Sequence, residues 1–464
     1  MDRKITVIIG LILVGTVATV PFIIDNPFST NTSTDDTDDN NTNDNGPMND
    51  TEDSQDMNMT ELPVITLASL ANETLNTLLR NYNMRDMSFA LIKDGKLVYR
   101  QVYSFQSDGI TNTSLFRIMG LSMPITSTAI MQLVESGSIA LDDKVFTILD
   151  QYDTSAIKNF DSNILNITVS HLLHHVSGWD VAPTSGPWFN TINDPMFMDF
   201  TVAGDRNKSV PVSVDDIIGF VLSQPLDNVP GESFSLNYFG YVLLGKIIEK
   251  ISGQSYVGYV QANIFDPLGI ANMKMGRTQE RFADPDEVVY HDAFTPSNCP
   301  SVVLNGKFAE CAYGSTNIEN LGAAAGWIAS AIDLARFLVG VDQDPTVADV
   351  LESATITRML ENELNQEFTH NRYGYYGLGW QVNESDDGIS YMHHGILLGT
   401  SGFMVQLPNN ISWVILFNKH PVDKEISRRV DFQMDFRTRI NDMISQIGLL
   451  SLWPDFDLFD EIIA

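Results

Sequence analysis

Leucines at 67, 70, 75, 78 and 79 fall on one face of a helix, so Ile65 to Tyr82 is predicted to be amphipathic and to cover one side of a core. Two β-type runs follow, Met87 to Ile92 and Lys96 to Tyr103, around Asp94-Gly95, a dipeptide suited to a tight hairpin turn. An extended stretch, Leu115 to Ile118, leads into a second helix. There Pro124 suits the first turn, Ile125, Ala129, Ile130, Leu133 and Val134 keep helical spacing, and Gly137 supplies the stop. Val214 to Leu222 reads as a further helix. Tyr376 to Val382, Tyr391 to Gly395, Ser401 to Leu407 and Trp413 to Phe417 read as strands, and Glu425 to Ile447 as a closing helix. The tail, residues 448–464, carries Trp453, Phe456, Leu458 and Phe459 and is expected to pack onto the body.

Ahead of these elements the pattern changes twice. Ile5 to Ile24 is a continuous apolar run preceded by Arg3 and Lys4. At 1.5 Å per residue such a run crosses a hydrocarbon core of ~30 Å. Basic residues before it and acidic ones after it place residues 1–4 in the cytoplasm and the bulk of the chain outside, anchored by a single pass through the cell membrane. A cleaved signal peptide is the competing reading, but its apolar core runs ~7–15 residues and ends at an Ala-x-Ala-like site absent here. Residues 25–64 are rich in Asn, Asp, Thr and Ser and are expected to form an acidic disordered stalk, too polar to offset the entropy of ordering. Asn-x-Ser/Thr sequons begin at Asn31, Asn40, Asn49 and Asn58 there, and at Asn72, Asn112, Asn166, Asn207, Asn383 and Asn410 beyond it, which suits a glycosylated exterior protein.

Charge and cysteine content narrow the function classes. With 59 acidic and 27 basic residues the chain carries a formal net charge of −32, which argues against nucleic acid as a partner. The two cysteines, Cys299 and Cys311, close a short loop, and outside the membrane a disulfide is the natural reading. Two cysteines alone do not make a four-ligand zinc site. His171, His174 and His175 lie close together, yet no adjacent Glu or third ligand follows the His171/His175 spacing, so a packed helix end is expected rather than a metal site. No metal and no cofactor are implied.

Several segments, taken in order, resemble the β-lactamase-related serine hydrolases, a family that includes class C β-lactamases, D-Ala-D-Ala peptidases and esterases. Pro124, Ile125 and Thr126 match the family's Pro-(Ile/Val)-Thr, which follows its Ser-x-x-Lys tetrad. Thr168 to Gly178 resembles its Leu-Leu-x-His-(Thr/Ser)-Ser-Gly segment, and Pro230 to Gly245 its Pro-Gly…Tyr-x-Asn…Gly-Tyr segment. Phe265 to Met275 resembles its Phe-x-Pro-Leu-Gly-Met turn, and Ala323 to Leu338 its Ala-Gly-Gly…Asp-Leu-Ala-Arg-Phe helix. His393-His394-Gly395 matches its third motif, Lys-Thr-Gly or His-x-Gly. The resemblance implies an α+β, penicillin-binding-protein-like fold over residues 65–447, in which helices flank a central antiparallel sheet and a helical subdomain is inserted.

The catalytic positions depart from that pattern. Gly120 stands at the nucleophile and Met123 at the lysine, while Leu236, Asn237 and Tyr238 replace Tyr-x-Asn. In the family the lysine three residues on shares the serine's helix face and takes its proton. Ser122 is turned about 200° away from Gly120 and is expected to point into the scaffold. Ser155 to Lys158, the one true Ser-x-x-Lys, sits in a polar segment and reads as chance. The oxyanion hole implied by the resemblance consists of the backbone N–H groups of Gly120 and Ile396 and needs no side chain. The expectation is therefore a membrane-anchored extracellular domain, catalytically inactive, that binds a small molecule, peptide or protein. The alternatives are a hydrolase working through His393 or His394 with the surviving oxyanion hole, and a purely structural surface glycoprotein.

Overall fold

Asp94 and Gly95 take φ of 51° and 72°, the left-handed pair that a two-residue hairpin requires, and turn β1 (Met87–Lys93) back as β2 (Lys96–Tyr103). Short strands follow: β3 (Phe116–Arg117), β4 (Lys274–Met275), β5 (Asn298–Pro300), β6 (Phe308–Glu310) and β7 (Trp327–Ala329). The chain then lays down β8 (Tyr375–Tyr376), β9 (Gln381–Ser385), β10 (Gly388–Leu397), β11 (Thr400–Leu407) and β12 (Ile411–Phe417). The main sheet is antiparallel in the order β2-β1-β12-β11-β10-β9-β8, with β3-β7-β4 as a small second sheet and β5-β6 as a ribbon. This computed structural model describes residues 65–104, 109–155, 157, 160–181, 193–291, 298–364, 374–420 and 427–462, and the chain from Val64 onward is one compact unit. The proposed cytoplasmic, membrane and stalk segments, 1–4, 5–24 and 25–64, lie outside the described residues.

The central strands are apolar on both faces because each face meets its own core. On one face Phe89, Leu91, Trp413 and Ile415 pack with Leu75 and Leu78 of α1 (Leu67–Asn81) and with Phe436 and Ile440 of the helix Ser427–Leu449. On the other, Ala90, Ile92, Val414 and Leu416 join the larger core built on the helix Ala331–Val339 and on α2 (Ser122–Glu135). Each fully buried large apolar side chain contributes roughly 1.5–3 kcal/mol. Thr66 opens α1 with a capping box to Ser69.

The helix α2 is buried nearly all round, Ser122 to Met131 without a break, so it runs through the centre instead of across the surface. The Thr126 hydroxyl within it is matched. Trp327 Nε1 donates to Tyr256 Oη (2.9 Å), Tyr256 to Thr126 Oγ1 (2.7 Å), and Thr126 to the Ala323 carbonyl (2.6 Å). That chain leaves no polar atom stranded.

Two segments differ from expectation. Ala323 to Leu338 is not one helix: the helix Ile318–Ala325 ends at Gly326, β7 follows, and Ser330 caps a new helix, Ala331–Val339. The apolar run Trp327–Ala329 is claimed by pairing with β3 and β4, which outweighs helical spacing. Tyr376 to Val382 is likewise broken: Gly379, at φ 91°, brings its backbone against Ser127 of α2 before β9 begins. The tail does pack onto the body. Leu458 N–H donates to the Leu97 carbonyl (2.9 Å), Leu97 N–H donates to Asp457 (3.0 Å), and Phe459 lies buried under the Arg336 guanidinium.

Candidate functional site

The position expected to carry a nucleophile lies in the single 3₁₀ turn Met119–Leu121, between β3 and α2. It is pressed against β10. A Cβ built on Gly120 would stand 2.6 Å from the His394 carbonyl oxygen and 3.2 Å from the His393 ring. From the other side, a Cβ on Gly395 would stand 2.1 Å from the Ile118 carbonyl oxygen and 3.1 Å from Gly120 N. Glycine is needed on both faces of this contact because the obstacle is backbone. Met123, one turn on, is fully buried in the larger core.

Of the second motif, Leu236 is half-buried and packs against the same core. Asn237 is the cap of the helix Tyr238–Ser252: its Oδ1 accepts from Gly240 N (2.8 Å) and its Nδ2 donates to the Ser235 carbonyl (2.9 Å). Tyr238 donates its backbone N–H to Asp194 (2.5 Å), and its ring meets Phe197 edge-on at 5.3 Å.

The third motif is locked. His393 Nδ1 lies 3.0 Å from the His394 carbonyl, which can only accept, so this nitrogen carries the proton. Nε2 is then the acceptor, and it takes the Tyr376 hydroxyl at 2.9 Å. Burial pushes His393 down to about 3 and Tyr376 well above the ordinary phenol range, so both are neutral at pH 7. The His175 ring meets Tyr376 edge-on at 4.8 Å and Tyr241 at a tilt at 4.9 Å, and it is pushed well down by burial first, then by His393. A base needs a free lone pair, and His393 has none. His394 is half-exposed.

Residues 71–434 match the Beta-lactamase family model. The chain belongs to the β-lactamase family. It is 24% identical over 345 residues to penicillin-binding protein 4* of Bacillus subtilis (strain 168), covering 72% of this chain and 68% of that protein. Esterase EstB of Burkholderia gladioli is 25% identical over 236 residues, 50% of this chain and 56% of the esterase. Among solved structures, the octameric penicillin-binding protein homologue from Pyrococcus abyssi superposes with a TM-score of 0.58 at 24% identity, covering 77% and 74% of the two chains. D-amino acid amidase from Ochrobactrum anthropi SV3, complexed with D-phenylalanine, gives 0.62 at 18% identity, covering 82% and 99%. These structural likenesses show the fold: helices around a large antiparallel sheet, as penicillin-binding proteins have.

Other family positions take structural roles. Ser122 is fully buried with Oγ unpaired among the described residues, pointing into the scaffold. His171 accepts from Thr168 N (3.3 Å) in a capping box, and His174 Nδ1 donates to the Ser170 carbonyl (3.0 Å). Among the described residues no three His, Cys, Asp or Glu side chains are arranged to hold a metal. Gly120 and Ile396, the two expected oxyanion-hole residues, sit on elements in contact, with Ile396 half-buried opposite Ser401. Cys299 and Cys311 are joined, Cα to Cα 5.0 Å.

Sequence reasoning missed Asp194. Fully buried, it accepts from Met196 N (2.9 Å) and Tyr238 N, and burial lifts it to about 6. Its position before Pro195 was the readable signal, since Asp-Pro opens a helical turn.

The sequons at Asn31, Asn40, Asn49 and Asn58 lie outside the described residues. Asn166, Asn207 and Asn410 are exposed, whereas Asn72, Asn112 and Asn383 are half-buried. Two of these amides are already engaged: Asn72 accepts from the Tyr99 and Tyr103 hydroxyls, and Asn410 donates to Asp344.

Proposed function

We propose that this chain is a β-lactamase-family protein without serine acyl transfer, a pseudoenzyme that binds a small molecule, peptide or protein outside the cell. The carrying observation is the contact at Gly120. A missing serine could be a simple exchange of side chains, but here a backbone carbonyl stands 2.6 Å from where the serine Cβ would be. Support comes from Met123, whose thioether occupies a fully buried position where an unpaired lysine would cost several kcal/mol in desolvation. The reading of His393 as base for a bound water is disfavoured by its doubly engaged, neutral ring.

Intact mass spectrometry after treatment with penicillin or a fluorophosphonate tests the proposal, with generic esters as a turnover control. The expected result is unmodified protein and background hydrolysis. A stoichiometric adduct, on Ser122 or elsewhere in this site, would overturn it.

A further inference from the structure

A cavity of about 360 Å³ opens between the helices Val214–Leu222, Tyr238–Ser252 and Tyr256–Val260 on one side and β4 with the helix Ile318–Ala325 on the other. None of the family's catalytic positions lines it. Its size falls in the range of small-molecule sites, roughly 300–1,000 Å³. The floor is apolar, formed by Val242, Tyr256, Met275 and Ala323, and Val257 on the wall is 39% exposed. Gly322 lines it at φ 38° and ψ −115°, where the helix Ile318–Ala325 kinks. A Cβ at Gly322 would meet nothing within 4 Å, so space does not demand glycine there; the backbone bend does. Strained backbone on a cavity wall is a common companion of ligand sites.

The polar groups decide what fits. Two ion pairs line the cavity, Lys246–Glu249 at 3.0 Å and Arg277–Glu319 at 3.3 Å. Every carboxylate oxygen of the two pairs already faces a donor. Glu249 accepts from Lys246 on one oxygen and from Tyr256 N on the other (3.2 Å), while Glu319 is ion-paired with Arg277 through one oxygen and accepts from Thr278 N and its hydroxyl on the other. The cations keep unused donors. Lys246 Nζ uses one of its three donors, and the two terminal nitrogens of Arg277 make no hydrogen bond among the described residues. Unused donors on the two cations therefore outnumber the acceptor sites left on the carboxylates, and they sit beside an apolar floor.

We infer that this cavity is a binding site for an apolar organic anion, a carboxylate on a hydrocarbon or aromatic body, with Lys246 and Arg277 receiving the carboxylate. The floor is hydrogen-bonded to α2 through Tyr256 and Thr126, which links an occupant to the central helix by way of Tyr256. The site stands independently of the fate of the serine chemistry, because an acyl adduct near Gly120 would leave it in place.

Fluorine NMR of 4-(4-fluorophenyl)butanoate with the full chain tests the inference, its primary amide serving as the uncharged control. The carboxylate should bind saturably and at least about tenfold more tightly than the amide. Val257→Trp, placed on an exposed position to fill the cavity, and the double change Lys246→Gln with Arg277→Gln should each weaken it by at least about tenfold, with circular dichroism confirming that both fold. Equal binding of acid and amide, no saturable binding to the wild type, or variants that bind as the wild type does would each overturn it.

Discussion

Replacing Gly120 by serine puts a Cβ 2.6 Å from a carbonyl oxygen of β10, and a strand gives way less readily than a side-chain tip. Gly120→Ser is therefore expected to lower stability by roughly 1–3 kcal/mol in urea unfolding. It should also leave ester hydrolysis at background, since nucleophile and base act as a unit and Met123 and Leu236 supply no base. Robust turnover by this single variant would show that another base already serves the position. At the same scale, His393 titrates at about 3 in the folded chain against 6.5 when unfolded. Between those values the unfolded chain binds a proton that the folded one does not. The stability contributed is complete above pH 6.5 and is lost as pH falls toward 3, at up to about 1.4 kcal/mol per pH unit. Urea midpoints at pH 7 and pH 5 should therefore differ less in His393→Gln than in the wild type; parallel behaviour would mean the buried ring takes up its proton as readily as it does in the unfolded chain. The departure of Gly120 and Met123 from the family's Ser-x-x-Lys pattern is read from the sequence alone, with Pro124 to Thr126 setting the register. The closure over Gly120 is not, because it depends on a carbonyl brought in by a distant strand.

Among the elements, those with local causes were the readable ones. Asp94-Gly95 turns because its two residues accept positive φ, and Val214 to Leu222 is helical between Ser213, which caps it, and Ser223. Trp327 to Ala329 was misread because its partners β3 and β4 lie elsewhere in the chain, and pairing of this kind leaves no mark on local spacing. The joined cysteines belong to this scale too. They are separated by 12 residues and tie β5 to the start of the short helix Cys311–Gly314, and a loop of that order restricts the unfolded chain by about 3 kcal/mol. Cys299→Ser with Cys311→Ser should lower stability by about 2–3 kcal/mol and leave the fold of the main sheet intact by circular dichroism. Free alkylation of both thiols in non-reduced secreted protein would show that the bond does not form.

Over the whole molecule, family segments in the right order were enough to place a central antiparallel sheet flanked by helices, and the structure has one of seven strands. Cellular placement rests on the run Ile5 to Ile24; among the described residues no helix is long and apolar enough to cross a membrane. If that run anchors an outward-facing domain, protease added to intact cells should release a fragment beginning between residues 25 and 64. A protein found already soluble with its N-terminus near residue 25 would mean a cleaved leader. The tail has a consequence at this scale as well. A sheet ends in strands whose unpaired N–H and C=O groups can recruit a strand from another molecule. Here one flank, β2, has both backbone groups of Leu97 occupied by Asp457 and Leu458, and the opposite flank, β8, is only two residues long. The whole chain's formal net charge of −32 adds repulsion between copies, so neither flank offers a ready edge to a strand from a second molecule.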